Sequence, residues 1–228
     1  MDQFGTVFLF DVDNTLLDND SVAADLRQHL RDTLSKQAEE RYWDIFEQVR
    51  RQLGYADYLG ALQRYRIEHP YDHQLSEISG FLLNYPFEKR LFPQAIEVLN
   101  TFSAQGTTAI LTDGDVVFQP RKIASSGIAS AVDNRVLIYI HKEDELDDVQ
   151  KQYPGEHYIL IDDKLRILAS VKKQLGDRVT TIFPRQGHYA YDPEILAEYP
   201  HADHTIDHIS DLLARDPIDW RILGPQAE

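Results

Sequence analysis

Residues 7–16 read VFLFDVDNTL, an apolar run that ends in two carboxylates spaced Asp-x-Asp. Four apolar side chains in a row, with no polar break at helical spacing, read as a strand buried on both faces. Side chains two apart in a strand point the same way, so Asp11 and Asp13 share one side of the strand tip. Carboxylates so placed repel unless a cation or a proton lies between them, and the pair points to magnesium and phosphate chemistry. The plainer alternative is that Asp13 or Asn14 caps the turn after the strand, as these residues often do.

Working outward, four further β-rich runs lie at 107–111, 136–140, 158–161 and 179–183. Helical patterns alternate with them at 93–105, 119–126, 144–153, 165–175 and 209–214. Such alternation predicts an α/β doubly wound parallel sheet with helices on both faces. Gly106, Gly127 and Gly176 lie just past three of these helices, where a left-handed C-cap is expected.

Residues 11–106 separate the first two strands, far more chain than one crossover helix needs, so something is inserted there. Its apolar residues recur at helical spacing: Val22, Leu26, Leu30, Leu34; Ile45, Val49, Leu53; Tyr55, Leu59, Leu62; and Leu75, Ile78, Leu82, Tyr85. Four amphipathic helices are expected, with Ser21 as N-cap of the first and Gly54, His69-Pro70 and Pro86 as punctuation. Tyr42, Trp43, Phe46, Tyr58 and Tyr65 are assigned to the bundle core. The expected division is a core of residues 1–17 and 90–228 and a helical unit of residues 18–89.

Composition narrows the function. A net charge of -15 argues against a protein that holds nucleic acid through its phosphates. No apolar run is long enough to span a membrane, and the N-terminal VFLF is too soon interrupted for a signal peptide, so a cytoplasmic protein is expected. The chain has no Cys, which removes disulfides, thiolate nucleophiles and Cys-based zinc sites. Ligands of parallel α/β sheets bind beyond the carboxyl ends of the strands. The strands end in Asp11-Val12-Asp13, Thr112-Asp113-Gly114, His141-Lys142 and Asp162-Asp163, which would bring a hydroxyl, an ammonium and two acidic pairs to one edge.

DVDNT at 11–15, ILTDG at 110–114, Lys142 and ILIDD at 159–163, in that order, strongly resemble the motifs of the haloacid dehalogenase-like hydrolase superfamily. The resemblance implies a Rossmann-like core with a helical cap inserted after the first motif, and most often a magnesium-dependent phosphatase. Asp11 would then attack phosphorus, and Asp13 would protonate the leaving alkoxide and afterwards deprotonate the hydrolytic water. Thr112 and the backbone N–H groups of Asp113 and Gly114 would bind phosphoryl oxygens, and Lys142 would offset the accumulated charge. Asp11, Asp13, Asp162 and Asp163 form the expected Mg²⁺ set. Lys122 and Lys164 are the other candidates for the lysine; Lys142 is preferred because it follows a strand end directly. The expected substrate is a small phosphorylated metabolite, with oligomeric state open.

Other readings differ in chemistry. A dehalogenase would use Asp11 against carbon and leave Asp13 without a task, since a departing halide needs no proton. A phosphomutase would return the phosphoryl group, and a non-catalytic module would only bind a phosphorylated ligand. A receiver-like phosphoacceptor domain would not carry so large an insert after its first strand. His201, His204 and His208 are read as ordinary rather than metal-binding residues. Arg185 and His188, after the fifth strand, are candidates to touch substrate. The tail from Pro217 is expected to pack loosely.

Overall fold

The strand read from residues 7–10 is the middle of a six-stranded parallel sheet. In the computed structural model, which describes residues 5–222, the strands are β1 (Thr6–Phe10), β2 (Thr107–Asp113), β3 (Val136–Tyr139), β4 (His157–Ile161), β5 (Val179–Pro184) and β6 (His204–Ile206). Their spatial order is β3-β2-β1-β4-β5-β6. The winding reverses direction at β1, so the crevice between β1 and β4 is the switch point at which such sheets bind ligands. Phe10 lies level with Ile161, so β1 and β4 end together, while β2, level with Phe10 at Ile110, runs three residues further to Asp113.

Alternation along β1 divides the core. Phe8 and Phe10 face a cluster that includes Phe102, Ile159 and Ile161, while Val7 and Leu9 face another with Leu111, Leu160 and Leu168. Helices α5 (Ala95–Ser103), α6 (Phe118–Ser125) and α7 (Ile128–Ala131) contribute to the first cluster; α8 (Leu146–Gln152) and α9 (Leu165–Leu175) contribute to the second. The Phe102 ring meets Phe8 and Phe10 edge-on at 4.9 and 5.4 Å, contacts each worth about 0.5–1.5 kcal/mol beyond their burial.

Between β1 and β2 stand α1 (Asn19–Thr33), α2 (Lys36–Leu53), α3 (Tyr58–Glu68) and α4 (Leu75–Leu83). Helix α1 packs on α2 and α4, and α3 on α2 and α4. The N-cap of α1 is Asp18, whose carboxylate accepts the Ser21 N–H at 2.9 Å; Ser21 therefore stands inside the first turn rather than capping it. In α3 the buried residues are Tyr58, Ala61, Leu62 and Tyr65; of the expected Tyr55-Leu59-Leu62 stripe only Leu62 is among them. The bundle core is continuous with the first sheet cluster, because Phe118 of α6 meets Tyr58 at 5.5 Å and Phe87 at 5.6 Å.

The chain leaves and rejoins the sheet at one place. Leu17 bridges Leu91 in antiparallel fashion, the Asp18 N–H donates to the Arg90 carbonyl at 2.8 Å, and the Phe92 N–H donates to that of Leu16 at 2.9 Å.

Several local expectations are revised. Helix α10 (Pro193–Glu198) is an additional element, β6 is a short strand within the stretch of the three histidines, and residues 209–214 form a 3₁₀ turn rather than an α-helix. Edge strand β3 is half-buried, and Ile140 beyond it is exposed. Gly127 and Gly176 have positive φ but Gly106 does not; a Cβ on Gly106 would lie 2.7 Å from the Thr6 carbonyl oxygen, so close approach is what requires glycine there. In the tail, helix α11 (Asp219–Ile222) packs Trp220 inside, against His204 and under the Leu212 carbonyl. Residues 223–228 of the tail lie outside the described residues.

One buried group gives a pH-dependent prediction. His157, at the start of β4, has its Nε2 2.9 Å from the Thr180 hydroxyl. Burial, with the charges of Arg221 and Lys172, lowers its pKa from 6.5 to about 4. The unfolded chain therefore takes up this proton first as pH falls, and the stability that neutral His157 contributes is lost between pH 6.5 and 4, on the order of 3 kcal/mol at most. His157→Gln should flatten that limb. Urea unfolding of both proteins at pH 7 and pH 4.5 checks it: an unchanged difference between them at the two values would remove His157 as the cause.

Candidate active site

The loop after β1 is built by its own side chains. The Asp11 N–H donates to the Ile161 carbonyl at 2.9 Å, which keeps Asp11 in line with the sheet. Asn14 takes φ 58°, a conformation that Asn tolerates better than most residues. Its Oδ1 accepts the N–H groups of Asn19 and Asp20 at 3.1 and 3.2 Å, which sets the start of α1. The capping alternative thus holds for Asn14, while both aspartates are left for other work. Gly187, at φ 72°, allows the loop after β5 to close on this turn, since a Cβ there would stand 2.6 Å from that of Asn14.

Asp11, Asp162 and Asp163 meet at the β1–β4 crevice, all buried, with one oxygen of each within 4.8 Å of the others. Lys142 is the lysine that joins them. Its Nζ donates to Asp11 Oδ1 at 2.5 Å and to the Leu111 carbonyl at 3.2 Å, and lies 2.6 Å from Asp162 Oδ2. Burial opposes the charge on Asp11, but Lys142 and Lys164 outweigh it and hold the carboxyl below its usual range. Burial lifts Asp162 to about 6 despite Lys142, and lifts Asp163 well above the usual value. The charges of Asp11 and Asp162 in turn keep buried Lys142 ionised to high pH.

Both oxygens of Asp163 are buried and neither has a hydrogen-bond partner among the described residues. Such a carboxylate is costly unless a cation joins it, and an all-oxygen set fits a hard divalent ion. Lys164 is not bridged to this cluster by a hydrogen bond of its ammonium; its backbone N–H donates to Asp162 Oδ1 at 2.9 Å and it faces a cavity.

The second motif is used differently from the expected pattern. The Gly114 N–H donates to the Tyr139 carbonyl at 3.0 Å, which commits it to the sheet edge and away from a phosphoryl oxygen. The Asp113 carboxylate accepts the Lys142 N–H at 2.8 Å, so this side chain orders the lysine loop. Thr112 is buried, and its hydroxyl accepts from the Gln119 amide at 3.0 Å. Asp13 also departs from expectation: its carboxylate is not among the clustered oxygens and instead accepts from Lys122 Nζ at 2.6 Å.

Above Asp13 and Asp163 lies a cavity of about 540 Å³. Trp43, Phe46, Arg50 and Tyr58 of the bundle form one wall; Lys164, Arg166, His188 and Tyr189 form the other. Three aromatic residues assigned to the bundle core thus also line it. The walls touch where an Arg50 N–H donates to the Tyr189 hydroxyl at 2.9 Å and where His188 meets Asp20. Of the two post-β5 candidates, His188 reaches the cavity, while Arg185 is paired with Asp207 elsewhere. His204 is buried in β6 against Trp220, and the backbone N–H of His208 donates to Asp211 at the start of the 209–214 turn.

Gln119 is a site residue that the sequence reading did not name, and Lys122, weighed there only as a rival to Lys142, serves Asp13 instead. The available signal was a polar pair on a buried helix face: Phe118, Gln119, Lys122 and Ile123 are the inward positions of α6.

The sequence profile of the hydrolase family described as haloacid dehalogenase-like hydrolase matches residues 6–173. No curated protein matches the chain. A solved haloacid dehalogenase-like hydrolase from Burkholderia xenovorans LB400 is 56% identical, with 97% of this chain and 100% of that one covered and a TM-score of 0.91. More distant folds include the HAD-hydrolase YfnB from Bacillus subtilis bound to magnesium, at 16% identity, 92% and 98% coverage and a TM-score of 0.60. The L-2-haloacid dehalogenase from Xanthobacter autotrophicus is similar at 15% identity, 92% and 97% coverage and a TM-score of 0.61. The parallel sheet, the gathered motifs and the matched profile agree: the chain belongs to the haloacid dehalogenase-like hydrolases.

Proposed function

We propose that the protein is a Mg²⁺-dependent phosphomonoesterase that works through an aspartyl-phosphate on Asp11. The observation that carries this reading is Asp163, a buried carboxylate with no hydrogen-bond partner for either oxygen among the described residues, next to an Asp11 kept ionised by Lys142. Asp11, Asp162 and Asp163, with the main-chain carbonyl of Asp13, would hold the ion. When bound, Mg²⁺ supplies charge neutralisation and orientation of the phosphoryl group.

Asp11 attacks phosphorus, and the bond to the leaving oxygen breaks as the new one forms. Asp13 passes a proton to the departing alkoxide and then takes one from the water that hydrolyses the acyl-phosphate. Thr112 donates to a phosphoryl oxygen, and Lys142 offsets charge on Asp11 and the phosphoryl group. Helices α1–α4, within residues 18–89, act as a cap that excludes bulk water over the core of residues 1–17 and 90–228. The cavity of about 540 Å³ suits a small phosphorylated metabolite.

Dehalogenation would need the same nucleophile but neither a cation nor Asp13. A panel of phosphate esters and 2-haloacids, assayed with and without Mg²⁺, tests the choice. Release of inorganic phosphate that stops in EDTA and returns with Mg²⁺ is expected; halide release independent of metal, or phosphoryl return to a second sugar hydroxyl, would overturn the reading.

A further inference from the structure

Lys122 is a buried charge to which the proposed chemistry gives no task. Its side chain is 1% exposed, and Asp13 is the only carboxylate with which it forms an ion pair among the described residues. Burial of an ammonium is costly unless its partner is held in good geometry, so the pair fixes both members. Lys122 Nζ takes Asp13 Oδ1 at 2.6 Å, while Gln119, one turn earlier on α6, reaches Oδ2 at 3.5 Å. Gly114 leaves room for this arrangement, since a Cβ there would stand 2.7 Å from Gln119. The second bond of Lys122 goes to Asn19 Oδ1 at 3.1 Å, at the root of α1, and the Asn19 amide donates to the Tyr58 hydroxyl at 3.2 Å on α3.

We propose that Lys122 is the positioning residue for Asp13, and that its bond to Asn19 ties the placement of this carboxylate to the seating of the helical bundle. The proposal rests on the reading of Asp13 as the proton carrier. Lys122 acts through Asp13, to which its ammonium is bonded. Held from both oxygens, Asp13 keeps one orientation; with the bundle displaced, Asn19 and Tyr58 move away and the ammonium loses the contact that aims it.

The test separates aim from simple stability. In kcat/KM, which reports events up to departure of the leaving group, an alkoxide leaving an alkyl phosphate needs the Asp13 proton, whereas 4-nitrophenolate leaves 4-nitrophenyl phosphate almost unaided. Lys122→Met should lower kcat/KM for the alkyl ester roughly 100-fold and for the nitrophenyl ester less than about fivefold. Asn19→Ala, which keeps the ion pair, should show the same selectivity at roughly tenfold and serves if Lys122→Met does not fold. Equal losses on both esters would overturn the proposal. Should the wild-type protein hydrolyse no phosphate ester, the phosphatase reading fails by itself, and crystal structures of wild type and variants decide this one. A displaced Asp13 carboxylate in the variants supports positioning by Lys122; an unmoved one overturns it.

Discussion

Asp11→Asn should reduce phosphate release by on the order of 10⁴-fold or more, to the level set by the remaining binding groups. An amide nitrogen or oxygen cannot form the acyl-phosphate, and no Cys is present to take over as nucleophile. The substitution is nearly isosteric, and Lys142 keeps Asp162 2.6 Å away, so the fold should survive. Acid quenching with a ³²P-labelled ester makes the comparison direct: labelled protein is expected from wild type and none from the variant. Turnover within about tenfold of wild type would place the nucleophile elsewhere, with Asp13 the first alternative.

Asp163→Asn should produce opposite effects on stability and activity. Without a divalent ion, the wild-type carboxylate is buried with no hydrogen bond among the described residues, so its removal should stabilise the protein by about 1–3 kcal/mol at neutral pH. The sign follows from its raised pKa. A carboxyl that holds its proton more tightly when folded costs stability as pH rises; for neighbouring Asp162 that window runs from 3.8 to about 6. With Mg²⁺ at about 1,000 times its dissociation constant, wild type should gain about 4.1 kcal/mol and the variant far less. Thermal unfolding in EDTA and in Mg²⁺ should therefore rank the two proteins in opposite order, while the variant loses turnover. An equal rise for both, or for neither, would remove Asp163 from the ion site.

The parts of this molecule that were legible in the sequence are those where one strong pattern acts alone. Apolar runs ending in acids gave β1 and β4 and placed Asp11, Asp162 and Asp163 together, because strand ends in a parallel sheet share an edge. Lys142 was chosen over two rivals by its place after a strand, and Asp113 binds its N–H there. Strand β6 yielded no bounded run because three residues, with only His204 and Ile206 inward, carry too little alternation. Which oxygen each side chain addresses was also beyond the pattern. Asp13 lies two residues from Asp11, yet Lys122, a helix away, decides its direction through a tertiary ion pair. The commitment of the Gly114 N–H to Tyr139 likewise depends on the register of β2 with β3.

The paired crossing of residues 16–18 and 90–92 has a consequence for how such chains diversify. A segment whose two ends are hydrogen-bonded neighbours can be exchanged for one of another length without moving either flank. Recombination at this seam would alter the chamber that selects a substrate and leave Asp11 and Lys142 in place. Any replacement inherits one obligation, to cover the Phe118 ring that Tyr58 now shields.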